Sequence, residues 1–587
     1  MGDTNKLTLV QDGTPRCSIV LSVDASLSER HGAKELQRFL QQMTGAYIPI
    51  VEDQTSLSGS AIWIGLSDTL QQKGFTLDMT RLKTDGFVIE QIADGVVIAG
   101  SRIRGTLNGV YGFLEDVLGC RWYTPNVSHI PVKPTIAFEG LSVEQVPDLE
   151  YRESFFYTCF NGDWAARNRM NGNFLKQEPK HGDKIDYSEL FVHTFDHFVP
   201  VERHFAENPE YFSEINGERI SDRTQLCLTN PDVLALVIAG VRQWIEDHPG
   251  IRILSVSQND WYNPCTCTGC KDIDDREESH SGTLLHFVNQ VAEAIESEYP
   301  QVAIDTIAYQ YTRKAPKYIK PRHNVIVRLC SIECCFSHPL EHCQEAVSFK
   351  NRTGSSNSFA TDLKEWAKVS ERLYIWDYVT NFSNYVMPFP NMRVLKPNIE
   401  FFKRNNVKGI FEQGSYAEGG GGEFAEVRGY LIAKLLWNSD IDVSATISEF
   451  MKAYYGPAAD PLITYIEALH NKVEEENIHV GIYDPPINAY LTDEMLALAN
   501  ACFDEAERLA LDPVIAERVH RARLPIRYVE LSIMPVHVPN RKAKIAVLFG
   551  DMEKAGIQEI WESRSLEKSR MFMEEGTVFN HSSLRSR

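Results

Sequence analysis

No stretch of the chain approaches the ~18 consecutive apolar residues that a membrane span needs. Positive charge is scarce as well: 59 Lys and Arg stand against 80 Asp and Glu in 587 residues, a formal net charge of −21. The first absence argues against a membrane protein. The second argues against a non-specific nucleic-acid or anionic-membrane binder, because phosphate contact needs a basic face. Cysteine is sparse too. The 12 present include the adjacent Cys334 and Cys335 and several in apolar runs such as VIVRLC. That is too few for a disulfide scaffold and fits reduced, buried thiols. The opening MGDTNKLTLVQDG lacks the basic and then apolar segments of a secretory leader. A cytoplasmic chain is therefore expected, with an exported chain whose leader has been removed as the alternative. Gly419 to Gly422 is not a phosphate cradle, since no Lys-Ser/Thr follows it, and the glycines from Gly86 to Gly119 form no dinucleotide fingerprint.

What remains is the composition of an ordinary folded protein, 43% hydrophobic and 24% charged, long enough for about two to four domains. Three textures follow one another. Residues 1–147 alternate short strands and helices: IVLSVDA and SAIWIGLSD read as strands, and ERHGAKELQRFLQQMTG places Ala33, Leu36, Phe39 and Leu40 on one helical face. FVIEQIADGVVIAGS reads as a hairpin turning at Asp94-Gly95, and GTLNGVYGFLEDVLG as a helix ended by Gly119. Residues 148–430 carry strand candidates at 151–158, 191–197, 225–230, 252–260, 303–312, 324–333, 372–380 and 409–416. Eight strands in about 280 residues is the count and size of a (β/α)8 TIM-type barrel. Residues 431–587 have helical periodicity and no catalytic constellation. The expected fold is thus α/β: a small N-terminal α/β domain, a barrel and a C-terminal helical region.

Barrel active sites lie at the C-terminal ends of the strands, and here those ends are polar and aromatic. The fourth ends in Ser257, Gln258, Asn259, Asp260 and Trp261, and the fifth in Tyr309, Gln310 and Tyr311. The sixth runs through Arg328 to Glu333, the seventh gives Trp376, Asp377, Tyr378 and Asn381, and the eighth Glu412, Gln413 and Tyr416. Carboxylates among Trp and Tyr suit a sugar site, because aromatic faces pack on apolar pyranose faces and two carboxyl groups divide the acid and base or nucleophile work. Asp260, Glu333, Asp377 and Glu412 are the carboxylates to rank. Desolvation beside Trp261 is expected to raise the pKa of Asp260, and Glu333 sits beside Ile332, Cys334 and Cys335 in a similarly apolar setting. A second cluster, Cys265, Cys267 and Cys270 with His280 nearby, has three readings: a structural zinc site, reduced thiols shaping a loop, or a disulfide.

These motifs carry a resemblance. Segment 104–125, RGTLNGVYGFLEDVLGCRWYTP, resembles the small α/β domain that precedes the barrel in α-glucuronidases and β-hexosaminidases. The ordered series SVSQNDW, CTCTGCK, SGTLLHFVNQVAE, DTIAYQYTRKAPK, NVIVRLCSIECCFSHPL, WDYVTNF and PFPN resembles the family catalogued as domain of unknown function 4838. That family includes glycoside hydrolase family 163, endo-β-N-acetylglucosaminidases acting on complex N-glycans. The resemblance covers about residues 85–440. It implies cleavage of a β-N-acetylglucosaminide, with participation of the substrate's 2-acetamido oxygen. Related barrels place an adjacent Asp-Glu pair on strand four, where this chain has Asn259-Asp260. Two assignments follow. In one, Asn259 or Asp260 holds the acetamido group and Glu333 protonates the leaving oxygen; in the other, Asp260 is the acid and Glu333 the base or stabiliser. The first is preferred. Arg152 matches the place of an Arg that binds sugar hydroxyls in hexosaminidase-like barrels, or else forms a structural ion pair with Glu153 or a neighbour. Trp261, Tyr309, Trp376, Asp377, Tyr378, Asn381 and Glu412 complete the expected substrate-binding set.

Two rival readings remain: an exo-acting hexosaminidase or glucuronidase on a small oligosaccharide, and a glycan-binding barrel without catalysis. The expected partner is an oligosaccharide or glycopeptide, with no nucleic acid and no membrane, and the sequence sets no oligomeric state. No cofactor is required for catalysis, and zinc at the Cys265 cluster would be structural.

Overall fold

A computed structural model describes residues 6–57, 59–343 and 357–576. It divides into two compact units, residues 1–184 with 426–456, and residues 185–425 with 457–587.

In the first unit, six strands form one mixed sheet: β1 (Cys17–Leu21), β2 (Ile50–Glu52), β3 (Ser60–Ile64), β4 (Phe87–Ile92), β5 (Gly95–Gly100) and β6 (Ser142–Gln145), in the order β6-β4-β5-β3-β1-β2. The β4–β5 hairpin pairs Ile92 with Gly95, so Ala93 and Asp94 make its turn, one residue earlier than expected. Helix α1 (Leu27–Thr44) starts at a Ser26–Glu29 capping box and stops at Gly45, whose φ of 79° is left-handed. Its Ala33, Leu36, Phe39 and Leu40 are buried, as the 3.6-residue period requires. The first expected barrel strand, β7 (Tyr151–Phe155), belongs to this unit.

The second unit is built on five parallel strands in chain order: β8 (Ile253–Ser255), β9 (Ala303–Ala308), β10 (Val325–Cys330), β11 (Leu373–Tyr378) and β12 (Val407–Gln413). They curl as a half-barrel. Helices α2 (Thr268–Glu277) and α3 (His280–Glu296) connect β8 to β9, α4 (Phe359–Val369) precedes β11, and α5 (Met392–Arg404) precedes β12. All six apolar positions expected on α3, namely 284, 285, 288, 291, 292 and 295, are buried. The Leu, Val and Ile side chains among them contribute about 1.5–3 kcal/mol each at most relative to exposure, and Ala292 less.

Of the eight-stranded barrel expected from the sequence, the second unit shows a half-barrel of five parallel strands, and two expected strands take another form. Segments 191–197 and 225–230 are not strands: the first includes the short helix Phe195–Phe198, and in the second Leu226 makes a single bridge to Phe212. Side chains replace the ladder at this edge. The Thr194 hydroxyl donates to the Ser255 carbonyl at 2.9 Å and accepts from the Ser257 N–H at 3.0 Å. Gln225 Nε2 donates to the carbonyls of Asn259 and Trp261, and its Oε1 accepts from the Asn259 N–H. Backbone groups of the edge are satisfied without a regular strand.

The C-terminal stretch is largely helical, as expected, with helices at Ala459–Glu475, Asp493–Leu509, Pro513–Ile533, Arg541–Lys554 and Leu566–Glu575. It also contains a hairpin that periodicity did not reveal, β13 (Glu559–Trp561) and β14 (Arg564–Ser565). Backbone bonds from Tyr385 N–H to the Ile560 carbonyl and from Glu562 N–H to the Phe382 carbonyl, at 2.8 and 3.0 Å, dock it on the segment after β11. No helix of the described residues is long and apolar enough to cross a membrane.

Candidate active site

Strand alternation decides what the half-barrel presents. Side chains two apart share a face, so Asp305, Ile307 and Tyr309 align along and beyond β9. Arg328, Cys330 and Ile332 do so on β10, Tyr374, Trp376 and Tyr378 on β11, and Phe411 and Gln413 on β12. Deepest in this series, Arg328 forms an ion pair with Asp305 at 3.2 Å, bonds the Tyr187 hydroxyl and lies 4.3 Å from the Phe191 ring centroid. Burial pushes the Asp305 carboxyl up to about 6 against the opposing pull of Arg328.

Beyond this plug opens a cleft of about 290 Å³, lined by Ile307, Tyr309, Cys330, Ile332, Trp376, Tyr378 and Gln413 from the strand ends. Val192, His193, Asp260, Phe382, Tyr483 and Glu562 complete its wall. Its two acidic residues are Asp260 and Glu562. The Tyr309 hydroxyl donates to Asp260 Oδ1 at 3.0 Å. Gln413 Nε2 donates to Glu562 Oε1 at 3.3 Å, while Gln413 Oε1 accepts from Trp376 Nε1 at 2.7 Å. The half-buried Trp376 ring lies 6.3 Å from Tyr378, stacked, and 4.9 Å edge-on from Phe411.

Of the residues expected from the sequence, Asp260, Tyr309, Trp376 and Tyr378 line this cleft; the others are placed as follows. Glu333 is fully buried, accepts from Arg313 Nη1 at 3.1 Å and shares that arginine with Asp362 at 2.7 Å. Burial pushes its carboxyl up, with Arg313 opposing. Asp377 and Glu412 are cross-strand partners on the face opposite Trp376 and Gln413. Asp377 Oδ1 accepts from the Ser331 hydroxyl at 2.5 Å and the Tyr378 N–H at 2.9 Å. Burial pushes Asp377 up to about 6, and burial plus the charge of Asp377 pushes Glu412 well above the carboxylate range. Asn259 is spent on the Asp196 N–H and the Thr224 carbonyl. Asn381 is spent on the Asp484 carbonyl and the Ser383 N–H. Trp261 is 45% exposed and Asp260 is exposed, so the apolar enclosure expected for this carboxyl is absent. Arg152 is buried within the first unit, bonded to Asp85 at 2.9 Å and to the carbonyls of Leu149 and Arg169. Its ion-pair partner is Asp85 rather than Glu153.

Sequence reasoning missed His193 and Glu562. His193 has a left-handed φ of 57°, a conformation that favours glycine and gathers at functional sites. Its N–H donates to the Ser257 hydroxyl at 2.9 Å, and its Nδ1 donates to the Gln258 carbonyl at 2.8 Å. A carbonyl only accepts, so Nδ1 carries the proton and Nε2 is the acceptor of the neutral ring. A residue counted as part of a strand carried no such signal, and Glu562 arrives on a hairpin inside a stretch read as helical.

The thiol cluster gains a member. Cys265 and Cys270 are buried and Cys267 is half-buried, and Cys227 brings a fourth sulfur, with all four within 4.8 Å of one another. Cys227 Sγ lies 3.6 Å from Cys267 Sγ and 4.0 Å from Cys270 Sγ. Cys265 Sγ accepts from the Glu214 N–H at 3.4 Å and from Arg219 Nη1 at 3.6 Å. His280 is not part of it; its Nδ1 bonds Asp274 at 2.6 Å.

Comparison with known proteins places this architecture. No curated protein sequence matches the chain. Residues 17–113 match the glycosyl hydrolase family 67 N-terminus. A family GH115 4-O-methyl-α-glucuronidase with specificity for decorated arabinogalactans aligns over 97% of this chain and 76% of its own, at 12% identity and a TM-score of 0.55. A family 89 glycoside hydrolase from Clostridium perfringens aligns over 90% and 66%, at 11% identity and a TM-score of 0.48. The chitobiase of Flavobacterium johnsoniae aligns over 97% and 98%, at 10% identity and a TM-score of 0.44. The solved structures it resembles are thus glycoside hydrolases. The model for DUF4838, a domain of unknown function, matches residues 122–468, more than half of the sequence, and the chain belongs to that family.

Proposed function

We propose that the protein is a glycoside hydrolase that binds an oligosaccharide or glycopeptide in the strand-end cleft and cleaves a β-N-acetylglucosaminide bond, acting endo on complex N-glycans. The observation that carries this reading is the pairing of aromatic walls with two carboxylates, Asp260 and Glu562, in one cleft at the C-terminal strand ends. Trp376, Tyr378 and Tyr309 offer apolar faces to pyranose rings. The Tyr309 hydroxyl orients Asp260, and His193 Nε2 accepts from a sugar hydroxyl. In an acetamido-assisted reaction one carboxylate polarises the substrate amide and the other protonates the leaving oxygen, and no cofactor is required. Asp260 takes part as expected from the sequence. Glu562 takes the second place, and Glu333, held by Arg313 behind the wall, supports the strand end. The Cys227, Cys265, Cys267 and Cys270 tetrad holds a structural zinc in this reading, closed by four protein ligands.

Activity of single variants on a complex N-glycopeptide tests the assignment. Asp260→Asn and Glu562→Gln each lose more than about 10²-fold in kcat with the fold retained, the usual size of acid–base catalysis. The pH limb that disappears in each variant identifies the proton donor. A comparable loss in Glu333→Gln with near-normal Glu562→Gln would return the second role to Glu333.

A further inference from the structure

We propose that Cys335, His338, Cys343 and His479 form a second structural zinc site, of Cys2His2 type, that clamps two loops of the cleft together. The four ligand atoms lie within 4.8 Å of one another. Cys335 Sγ is 3.3 Å from His338 Nδ1, Cys343 Sγ is 3.6 Å from His479 Nδ1, and the two imidazole centroids are 4.6 Å apart. Zn–S bonds of ~2.3 Å and Zn–N bonds of ~2.0–2.1 Å set tetrahedral edges of roughly 3.3–3.8 Å between donors. The observed sulfur–nitrogen separations fall in that range. Three donors follow β10 as C-x2-H-x4-C, and the fourth comes from a segment 136 residues beyond Cys343.

The chain prepares this convergence independently of any ion. Phe336 N–H donates to the Val480 carbonyl at 2.8 Å, and the Ser337 hydroxyl donates to the Ile478 carbonyl at 2.6 Å. These bonds hold the loop after β10 against segment 478–480, with one histidine on each side. Cys335 is buried, and His338, Cys343 and His479 are half-buried, so the site is accessible to a metal yet shielded from bulk solvent. With four protein donors it is closed and structural, leaving no position for a catalytic water. Its consequence lies in the cleft. Ile332 precedes the first ligand by three residues and Tyr483 follows the last by four, and both line the wall. The metal would set the spacing of these two side chains without touching substrate.

Zinc quantification on the full chain, purified without added chelator or immobilised metal, tests the proposal alongside Cys343→Ser, His479→Ala and Cys227→Ser. The expected result is that Cys343→Ser and His479→Ala each hold one zinc equivalent less than wild type, while Cys227→Ser keeps this centre. Unchanged zinc in both variants, absence of zinc from wild type, or an intact mass short by two hydrogens from a Cys335–Cys343 disulfide would overturn it. Should the variants not fold, zinc X-ray absorption on the wild-type protein replaces them. A mixed nitrogen and sulfur shell supports the site, and an all-sulfur shell, accounted for by the Cys227 tetrad alone, contradicts it.

Discussion

At the scale of single residues, two-residue alternation separates neighbours that look equivalent in sequence. Trp376 and Tyr378 face the cleft, while Asp377 between them faces Glu412 on the other side. Replacing Trp376 by Ala removes a sugar-stacking face, and KM should rise about tenfold with kcat less affected, from an aromatic contribution of about 1.4 kcal/mol; steady-state kinetics on the glycopeptide separate the two. Asp377 governs stability instead. Near pH 2.5, well below the ordinary Asp value of 3.8, its carboxyl is protonated in both folded and unfolded chains. As pH rises the unfolded group ionises first while the buried one holds its proton to about 6, so stability is lost across that window and is lowest above it. Asp377→Asn keeps an acceptor for Ser331 and Tyr378 but cannot ionise. Its Tm should exceed that of wild type at about pH 7.5 by the equivalent of about 2–3 kcal/mol, with no gain near pH 2.5. Equal shifts at both pH values would contradict this account. Arg313 is the opposite case: Arg313→Met strands Glu333 and Asp362 without their buried partner. A loss of about 3–5 kcal/mol in denaturant unfolding is expected.

Elements were legible in the sequence where periodicity was long and both faces were distinct. Helix α3, with six buried apolar positions at 3.6-residue spacing, and strands β9 to β12, with apolar runs ending in polar residues, fall where expected. Segments 191–197 and 225–230 were not legible, because side-chain bonds from Thr194 and Gln225 do the work of a strand ladder. The site was half legible for the same reason. Strand ends disclosed Asp260, Tyr309, Trp376 and Tyr378, but the facing of Glu333, Asp377 and Glu412 depends on register that no single strand shows. Cys227 and Cys265 are 38 residues apart in sequence, and His479 and Glu562 lie in stretches dominated by helical patterning. Only packing brings these to their partners. The hairpin β13–β14 carries a prediction of its own. Replacing residues 559–565 by a Gly-Ser linker removes Glu562 together with the backbone bonds of Glu562 to Phe382 and of Ile560 to Tyr385. Activity should fall at least as far as in Glu562→Gln, while far-ultraviolet circular dichroism remains that of a folded helical protein.

For the whole molecule, the half-barrel unit concentrates an aromatic-walled cleft, two cleft carboxylates and two clusters of soft metal donors in residues 185–425 and 457–587. On the reading proposed above, zinc at the two clusters stiffens loops and the strand ends carry the chemistry, with the buried Arg328–Asp305 pair beneath them. The most direct test of this account is mass spectrometry of the products from a complex N-glycopeptide incubated with wild-type protein and with Asp260→Asn, with aryl β-N-acetylglucosaminide and aryl glucuronide as parallel substrates. The account predicts release of an intact glycan, leaving one N-acetylglucosamine on the peptide, with wild type and not with the variant. Turnover of an aryl glycoside alone would replace the endo reading with an exo-glycosidase, and an unchanged glycopeptide together with unchanged aryl glycosides would contradict a hydrolase built on this cleft.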